Sequence, residues 1–418
     1  MTTYIVPDTT TGIDLVASKD AYIVGRGVTV SVSDDDCFFG DPQFAGNSFQ
    51  IRGTVEAFGL HSAFSINGRH TKITLSGKGI VTSEETAIDL SGTHSSVING
   101  GMIDGTNFGI TIDNTVGFVK NTGTITSDGT GILMSGRGGE IENYESITAD
   151  KGIKQVAGAG EITSFYNEGS VTGTNYSFAG SIAKNMLVNR GELTGDVFLL
   201  GGKDLFDNVG GTVDGDVFGG RGRDIFRISG DSVSGDIVGG KGNDIYTVDD
   251  ATIKPIEHLH GGRDKVISSV SYALGANMEG LKLSGTGSID GTGNKGANRI
   301  AGNDAANVLS GGAGNDTIRG NGGADIIDGG KGNDHLRGGA NLDQFIFAKH
   351  GGDDTIVDFQ SGVDHVDLSG LGAIVDFDDM MAHHINISGK NLVIHAGTDT
   401  LTLLNTTKPE LHSADFLF

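Results

Sequence analysis

The sequence predicts an all-β solenoid: a right-handed parallel β-helix, then a flatter parallel β-roll, then a strand-rich C-terminal module. Three observations predict it. A carboxylate or carboxamide recurs every nine residues at Asn298, Asn307, Asp316, Asp325, Asp334 and Asp343. Upstream, a turn followed by a β-branched or apolar residue recurs every 20 to 24 residues. Finally, 71 glycines, 4 prolines and no tryptophan among 418 residues, with 36% apolar residues, suit a glycine-turned coil better than a globular α/β enzyme.

The nine-residue frame runs GNDAANVLS, GGAGNDTIR, GNGGADIID, GGKGNDHLR and GGANLDQFI, with glycines early, Asp or Asn sixth and an apolar residue eighth. Gly311, Gly312 and Gly314, and likewise Gly329, Gly330 and Gly332, are expected to turn the chain tightly through positive φ, which a Cβ makes costly. Only a short strand fits in the remaining three positions. Leu309, Ile318, Ile327, Leu336 and Phe345 should then enter a thin core, so that two nonapeptides complete one coil. That strict spacing argues against the alternative, a disordered Gly/Asn/Asp linker.

Residues 18 apart therefore stack: Asp316 on Asp334 along one edge, Asp325 on Asp343 along the other. At the rung spacing of about 4.8 Å, two carboxylates repel by about 3 kcal/mol at an effective dielectric of 20. A hard cation is needed to neutralise them. The frame offers only oxygen ligands, the carboxylates together with the turn carbonyls of Gly311, Ala313, Gly329 and Lys331. This donor set favours calcium, several ions of it, over zinc or magnesium.

With these residues in view, the segment resembles the repeats-in-toxin (RTX) β-roll of bacterial secreted proteins. The resemblance implies calcium bound between successive coils. Asn298 and Asn307 stand where that family has Asp, and the frames 320–328 and 338–346 lack some glycines. Those rungs are expected to bind more weakly or to close off the ends.

Taken in order, residues 1–50 alternate apolar and polar positions and end in SDDDCFFGDP, which reads as a strand-rich cap. Asp34, Asp35 and Asp36 read as a solvated acidic turn, with a cation site as the alternative. Residues 51–270 form the predicted β-helix. Its turns at Gly79, Gly101, Gly123, Glu145, Gly169 and Gly191 step by 22, 22, 22, 24 and 22, and Gly211, Asp231 and Ala251 follow at steps of 20. Asn99, Asn121, Asn143, Asn167 and Asn189 precede these turns by two residues, where an amide can stack on the next coil's amide.

In the 20-residue coils, Asp204, Asp224, Asp244 and Asp264 step together, as do Asp196, Asp216 and Asp236. GGRGRDIFR and GGKGNDIYT are complete nonapeptides, so a second metal ladder is expected here, with Asp204, Asp216, Asp224, Asp236, Asp244 and Asp264 as ligands. Residues 271–347 carry the β-roll, and 348–418 resemble the serralysin-type module that follows such rolls. LHSADFLF at the end resembles an uncleaved type I export signal.

A net charge of −24 argues against nucleic acid and anionic membranes as partners, and for bound cations. Cys37 is alone, which excludes an internal disulfide. The first twenty residues lack the basic and apolar regions of a cleavable signal, and no apolar run reaches spanning length, so stable membrane insertion is not expected. Cytosolic calcium is too low to fill weak sites, whereas extracellular calcium is not. The expectation is a secreted or cell-surface bacterial protein, exported by type I machinery, with a polysaccharide or cell-surface partner as a further possibility.

Catalytic chemistry is not legible. Asp89, Asp104 and Asp113, with His61, His70 and His94, suggest no acid–base pair, and no Arg-rich coil face stands out. Ile256-Glu-His-Leu-His260 is too compact for an HExxH zinc helix. A structural or host-interaction protein is the leading reading. The alternatives are a polysaccharide lyase or epimerase sited between residues 60 and 200, and an adhesin, bacteriocin or toxin.

Overall fold

The computed structural model describes residues 2–9, 13–14, 19–33, 35–113, 116–158, 161–230 and 232–418. Asp34 and Asp231 lie outside the described residues. The chain forms two compact units, Met1–Arg227 with Ser232–Gly240, and Ile228–Asp231 with Lys241–Phe418.

The first unit is a parallel solenoid with three stacks of strands. One stack runs from Thr3–Val6 through Ala21–Val24, Ser48–Ile51 and Lys72–Leu75 to Lys184–Asn189 and Leu205–Asn208. A second begins at Thr29–Val32, Thr54–Ala57 and Ile80–Ser83, and a third at Ile13–Asp14, Phe38–Gly40, Phe64–Ile66 and Thr86–Leu90. The strands Thr124–Ser135, Ser146–Val156 and Ser170–Ala179 serve both of these stacks, with the register shifting between Ser127 and Thr130. The strands inside the first fifty residues thus join the same stacks as those that follow.

Side chains alternate in and out along each strand, so one residue per coil repeatedly fills one interior column. Val55, Val81, Ile103, Ile125, Ile147, Val171 and Leu193 pair in succession and are all fully buried. Each contributes about 1.5–3 kcal/mol relative to exposure. The interior also holds the expected amide ladder. Asn99 donates to Asn121 at 2.8 Å, Asn121 to Asn143, Asn143 to Asn167 and Asn167 to Asn189, all fully buried. Asn189 continues it to Asn208 at 2.7 Å, a member hidden by the shortened step of 19 residues. The Cys37 thiol is buried, donates to the Glu56 carbonyl at 3.0 Å, and is pushed up to about 12 by burial, which leaves it unreactive.

The second unit is a flatter coil with two stacks. Ile300 pairs with Ile318 and Leu336 on one, and Leu309 with Ile327 and Phe345 on the other, each 18 residues apart. The eighth-position residues Leu309, Ile318, Ile327, Leu336 and Phe345 are all buried, as their spacing predicts. Beyond the roll, Phe377–Asp379 and Met380–His384 form the short helical segment, followed by antiparallel strands Ile385–Ser388, Asn391–Ala396 and Asp399–Leu403. The last of these pairs in parallel with Asp353–Ile356, and Phe416–Leu417 pairs with His365–Asp367. Asp415 accepts from the Ser361 hydroxyl at 2.6 Å and the Gly362 amide at 2.8 Å. Among the described residues, no helix is long and apolar enough to cross a membrane.

Candidate metal centre

In the roll, each sixth-position carboxylate is tied by one oxygen to the coil before it. Asn298 N–H donates to Asp316 Oδ1 at 2.7 Å, Asp316 N–H to Asp334 at 2.7 Å, and Asp334 N–H to Asp354 at 2.9 Å. Along the other edge, Asn307 donates to Asp325 at 2.8 Å, Asp325 to Asp343 at 3.0 Å, and Asp343 to Asp364 at 3.1 Å. Asp316 and Asp334 therefore share one edge and Asp325 and Asp343 the other, in the register the nine-residue spacing implies.

The second carboxylate oxygen distinguishes the site. Oδ2 of Asp316, Asp325, Asp334 and Asp343 is buried and meets no hydrogen-bond donor. It lies where the first glycine of the frame leaves room. A methyl group on Gly311 would overlap Asp316 Oδ2 and the Gly329 carbonyl oxygen, and one on Gly320 would overlap Asp325 Oδ2. Carboxylate and carbonyl oxygens thus converge with no proton between them, in a cradle that any Cβ would fill.

Gly311 and Gly329 serve this close approach and not a positive φ, contrary to the sequence expectation for all three glycines of each frame. The left-handed backbone belongs to Gly312, Gly314, Gly330 and Gly332, at φ of 96°, 100°, 93° and 128°. Ala313 and Lys331 sit side by side as a parallel bridge, and the Lys331 carbonyl accepts the Gly314 amide at 2.7 Å, which leaves it one lone pair.

Burial, more than mutual repulsion, raises these carboxyls. Asp316 is lifted to about 7, with Asp334 adding to it, Asp325 to about 6 and Asp343 to about 7; Asp334 moves the same way. A group with a buried, partnerless oxygen must hold a proton or face a cation. The oxygen-only donor set fits calcium.

The asparagines at the head of each edge need neither. Asn298 accepts from Asn294 N–H at 2.6 Å and donates to the Met278 carbonyl at 2.9 Å. Asn307 accepts from Asn303 N–H at 3.0 Å and donates to Ile289 at 2.6 Å. A neutral amide supplies the donor that a carboxylate lacks, so each closes its column.

In the first unit, Asn185 N–H donates to Asp204 at 2.7 Å and Asp204 N–H to Asp224 at 2.8 Å. Burial lifts Asp204 to about 8 and Asp224 to about 6. Asp216 and Asp236 form a separate, more exposed ladder, with Asp236 N–H on Asp216 at 2.7 Å and Asp216 N–H on Asp196 at 3.0 Å. In the second unit, Asp244 N–H donates to Asp264 at 2.8 Å, and Glu257 joins them, their oxygens all within 4.8 Å. Tyr246 donates its hydroxyl to Glu257.

Sequence reasoning missed Asp354, Asp364 and Glu257. Asp354 follows GGD in GGDDTIVDF, but its step of 20 residues breaks the frame. Glu257 lies in the IEHLH stretch, in no repeat at all. Each aspartate weighed for catalysis is held by a hydroxyl on the following coil: Asp89 accepts from Thr111 at 2.5 Å, Asp104 from Thr126 and Asp113 from Ser135 at 2.6 Å, and burial, with Asp113 on the next coil adding to it, raises the Asp89 carboxyl. His70 and His94 stack on each other, 5.1 Å apart.

The model of the RTX calcium-binding nonapeptide repeat (four copies, hemolysin-type) matches residues 292–327 and 319–346. Residues 292–346 thus match the RTX nonapeptide repeat. No curated protein sequence matches the chain. Similar solved structures include the AlgE6R3 subunit of the Azotobacter vinelandii mannuronan C5-epimerase, at 23% identity over 30% of this chain and 79% of that one, with a TM-score of 0.27. Extracellular lipase LipA of Serratia marcescens is 19% identical over 62% of this chain and 45% of the lipase, with a TM-score of 0.28. The RTX repeats account for the nine-residue frame, and the paired columns of Asp316–Asp334 and Asp325–Asp343 run through them.

Proposed function

We propose that this is a secreted RTX protein whose nonapeptide coils close only when calcium is bound, and that it acts outside the cell as a structural or host-interaction scaffold. The partnerless buried oxygens of Asp316, Asp325, Asp334 and Asp343 carry this reading. Asp316 and Asp334, with the carbonyls of Gly311, Ala313, Gly329 and Lys331, hold one column; Asp325 and Asp343 hold the other. Asp204 and Asp224 in the first unit, and Asp244, Glu257 and Asp264 in the second, are further ligands, with Asp216 and Asp236 at the exposed edge. Bound calcium supplies positive charge and a flexible shell of oxygen ligands.

The chain's own residues make folding conditional. In the open chain every aspartate is hydrated, whereas closing the roll strips water from four carboxylates, two per coil, that gain only one amide each. Metal binding free energy then becomes folding free energy, because only the closed coil gathers these oxygens. Inside the cell, at low calcium, the repeats stay open, as passage through type I export machinery requires. Outside, each closed coil templates the next.

Circular dichroism and limited proteolysis, with calcium and with chelator, test the reading. Loss of sheet signal and protease resistance between 292 and 346 in chelator is expected; an unchanged signal there would reject it. Asp334→Ala should raise the calcium midpoint, and an unchanged midpoint would reject the assignment of that residue.

A further inference from the structure

Successive turns along one edge of the first unit differ in length. The register leaves residues 25–28 between Val24 and Thr29, 52–53 between Ile51 and Thr54, and 76–79 between Leu75 and Ile80. The middle turn is therefore recessed between two longer ones, and a notch of about 570 Å³ opens over it. Each of the three turns contributes one cation: Arg52 from the recessed turn, Arg26 and Lys78 from its neighbours.

All three side chains are exposed, and among the described residues no ion pair engages any of them. Arg52 is steered by a hydrogen bond to Gln50 Oε1 at 3.1 Å. The rest of the lining is Gly25, Ser76 and Gly77, with no acidic and no aromatic residue. In a chain with 53 acidic and 29 basic residues, three unpaired cations converging on one concavity run against the overall charge. Two guanidinium forks and an ammonium suit a compact oxyanion.

Beyond Lys78 the next coil turns tightly again, and a second hollow of about 620 Å³ is lined by Lys78, Ile80, Met102 and Thr124 together with the glycines of these turns. A nucleic acid is disfavoured because no aromatic face awaits a base.

We propose that the Arg26–Arg52–Lys78 notch binds an oxyanion, sulfate ester or carboxylate, carried on an acidic glycan. The site belongs to the first unit and does not depend on the calcium reading. Calorimetry of the full calcium-loaded chain with sulfated dextran oligosaccharide, a polyuronate oligosaccharide, neutral dextran oligosaccharide, inorganic sulfate and a single-stranded oligonucleotide tests it. At least one acidic oligosaccharide should bind, more weakly as salt rises, while neutral dextran does not. Arg52→Gln should weaken binding by about tenfold or more, with smaller losses for Arg26→Gln and Lys78→Gln. Lys72→Gln, an exposed cation outside the notch, should leave binding unchanged, and all variants should keep the wild-type melting profile. The proposal is overturned if Arg52→Gln binds like wild type, if Lys72→Gln loses as much, if inorganic sulfate binds as tightly as the oligosaccharides, or if the oligonucleotide competes for the notch.

Discussion

The backbone amide of Asp316 donates to Oδ1 of Asp334, one coil further on, at 2.7 Å, while Oδ2 of Asp334 is buried with no donor. One oxygen of the carboxylate builds the solenoid and the other is left for a cation or a proton. That division makes the roll sensitive to both.

Protons should replace calcium. Asp316, Asp325 and Asp343 are raised to about 7, about 6 and about 7, so the closed coil binds protons that the open chain releases near pH 4. Calcium-free protein is therefore most stable below about pH 4 and loses that contribution as pH rises through about 6 to 7. Circular dichroism of calcium-depleted protein should show sheet retained in acid and lost above neutrality. The calcium concentration needed to restore sheet should therefore rise as pH rises over the same window.

Asp316→Asn should lessen the need for calcium, in contrast to Asp334→Ala. A carboxamide can keep Oδ1 on the Asn298 amide and donate toward the nearby Gly329 carbonyl, as Asn298 does to Met278. The metal-free coil should gain about 1–3 kcal/mol. Urea unfolding in chelator measures this, and a less stable variant would contradict the geometry.

Gly329→Ala should be costly although its φ is ordinary, because the added methyl meets Asp334 Oδ2. A loss of about 2–4 kcal/mol is expected, with a raised calcium midpoint. If calcium titrations of the variant match wild type, the cradle is not where the structure puts it.

Asn143→Ala should destabilise the first unit in a calcium-independent way. It removes the acceptor of Asn121 and the donor to Asn167, both at 2.8 Å in a fully buried column. A loss of about 2–4 kcal/mol follows from the broken ladder. Calorimetric melting with and without calcium should show the same drop in both.

Much of the site was readable because its parts recur in frame. Asp316 and Asp334 could be placed on one edge, and Leu309 and Ile327 in one core column, from spacing alone. Asp354 and Asp364 escaped because steps of 20 and 21 residues carry them to the same columns through longer loops. Glu257 escaped because no repeat contains it. The task of Gly311 was misread, since glycine looks the same whether φ or space demands it.

The sequence by itself determined the coil, its two repeat lengths, and which residues face inward, because periodicity is a property of the chain and parallel pairing copies it from rung to rung. Only the tertiary structure decided which carboxylate oxygens lack a donor, that Glu257 joins Asp244 and Asp264, and that a two-residue turn between four-residue turns recesses Arg52 between Arg26 and Lys78. Those outcomes depend on how neighbouring coils of unequal length close around one another, and a one-dimensional repeat does not encode that.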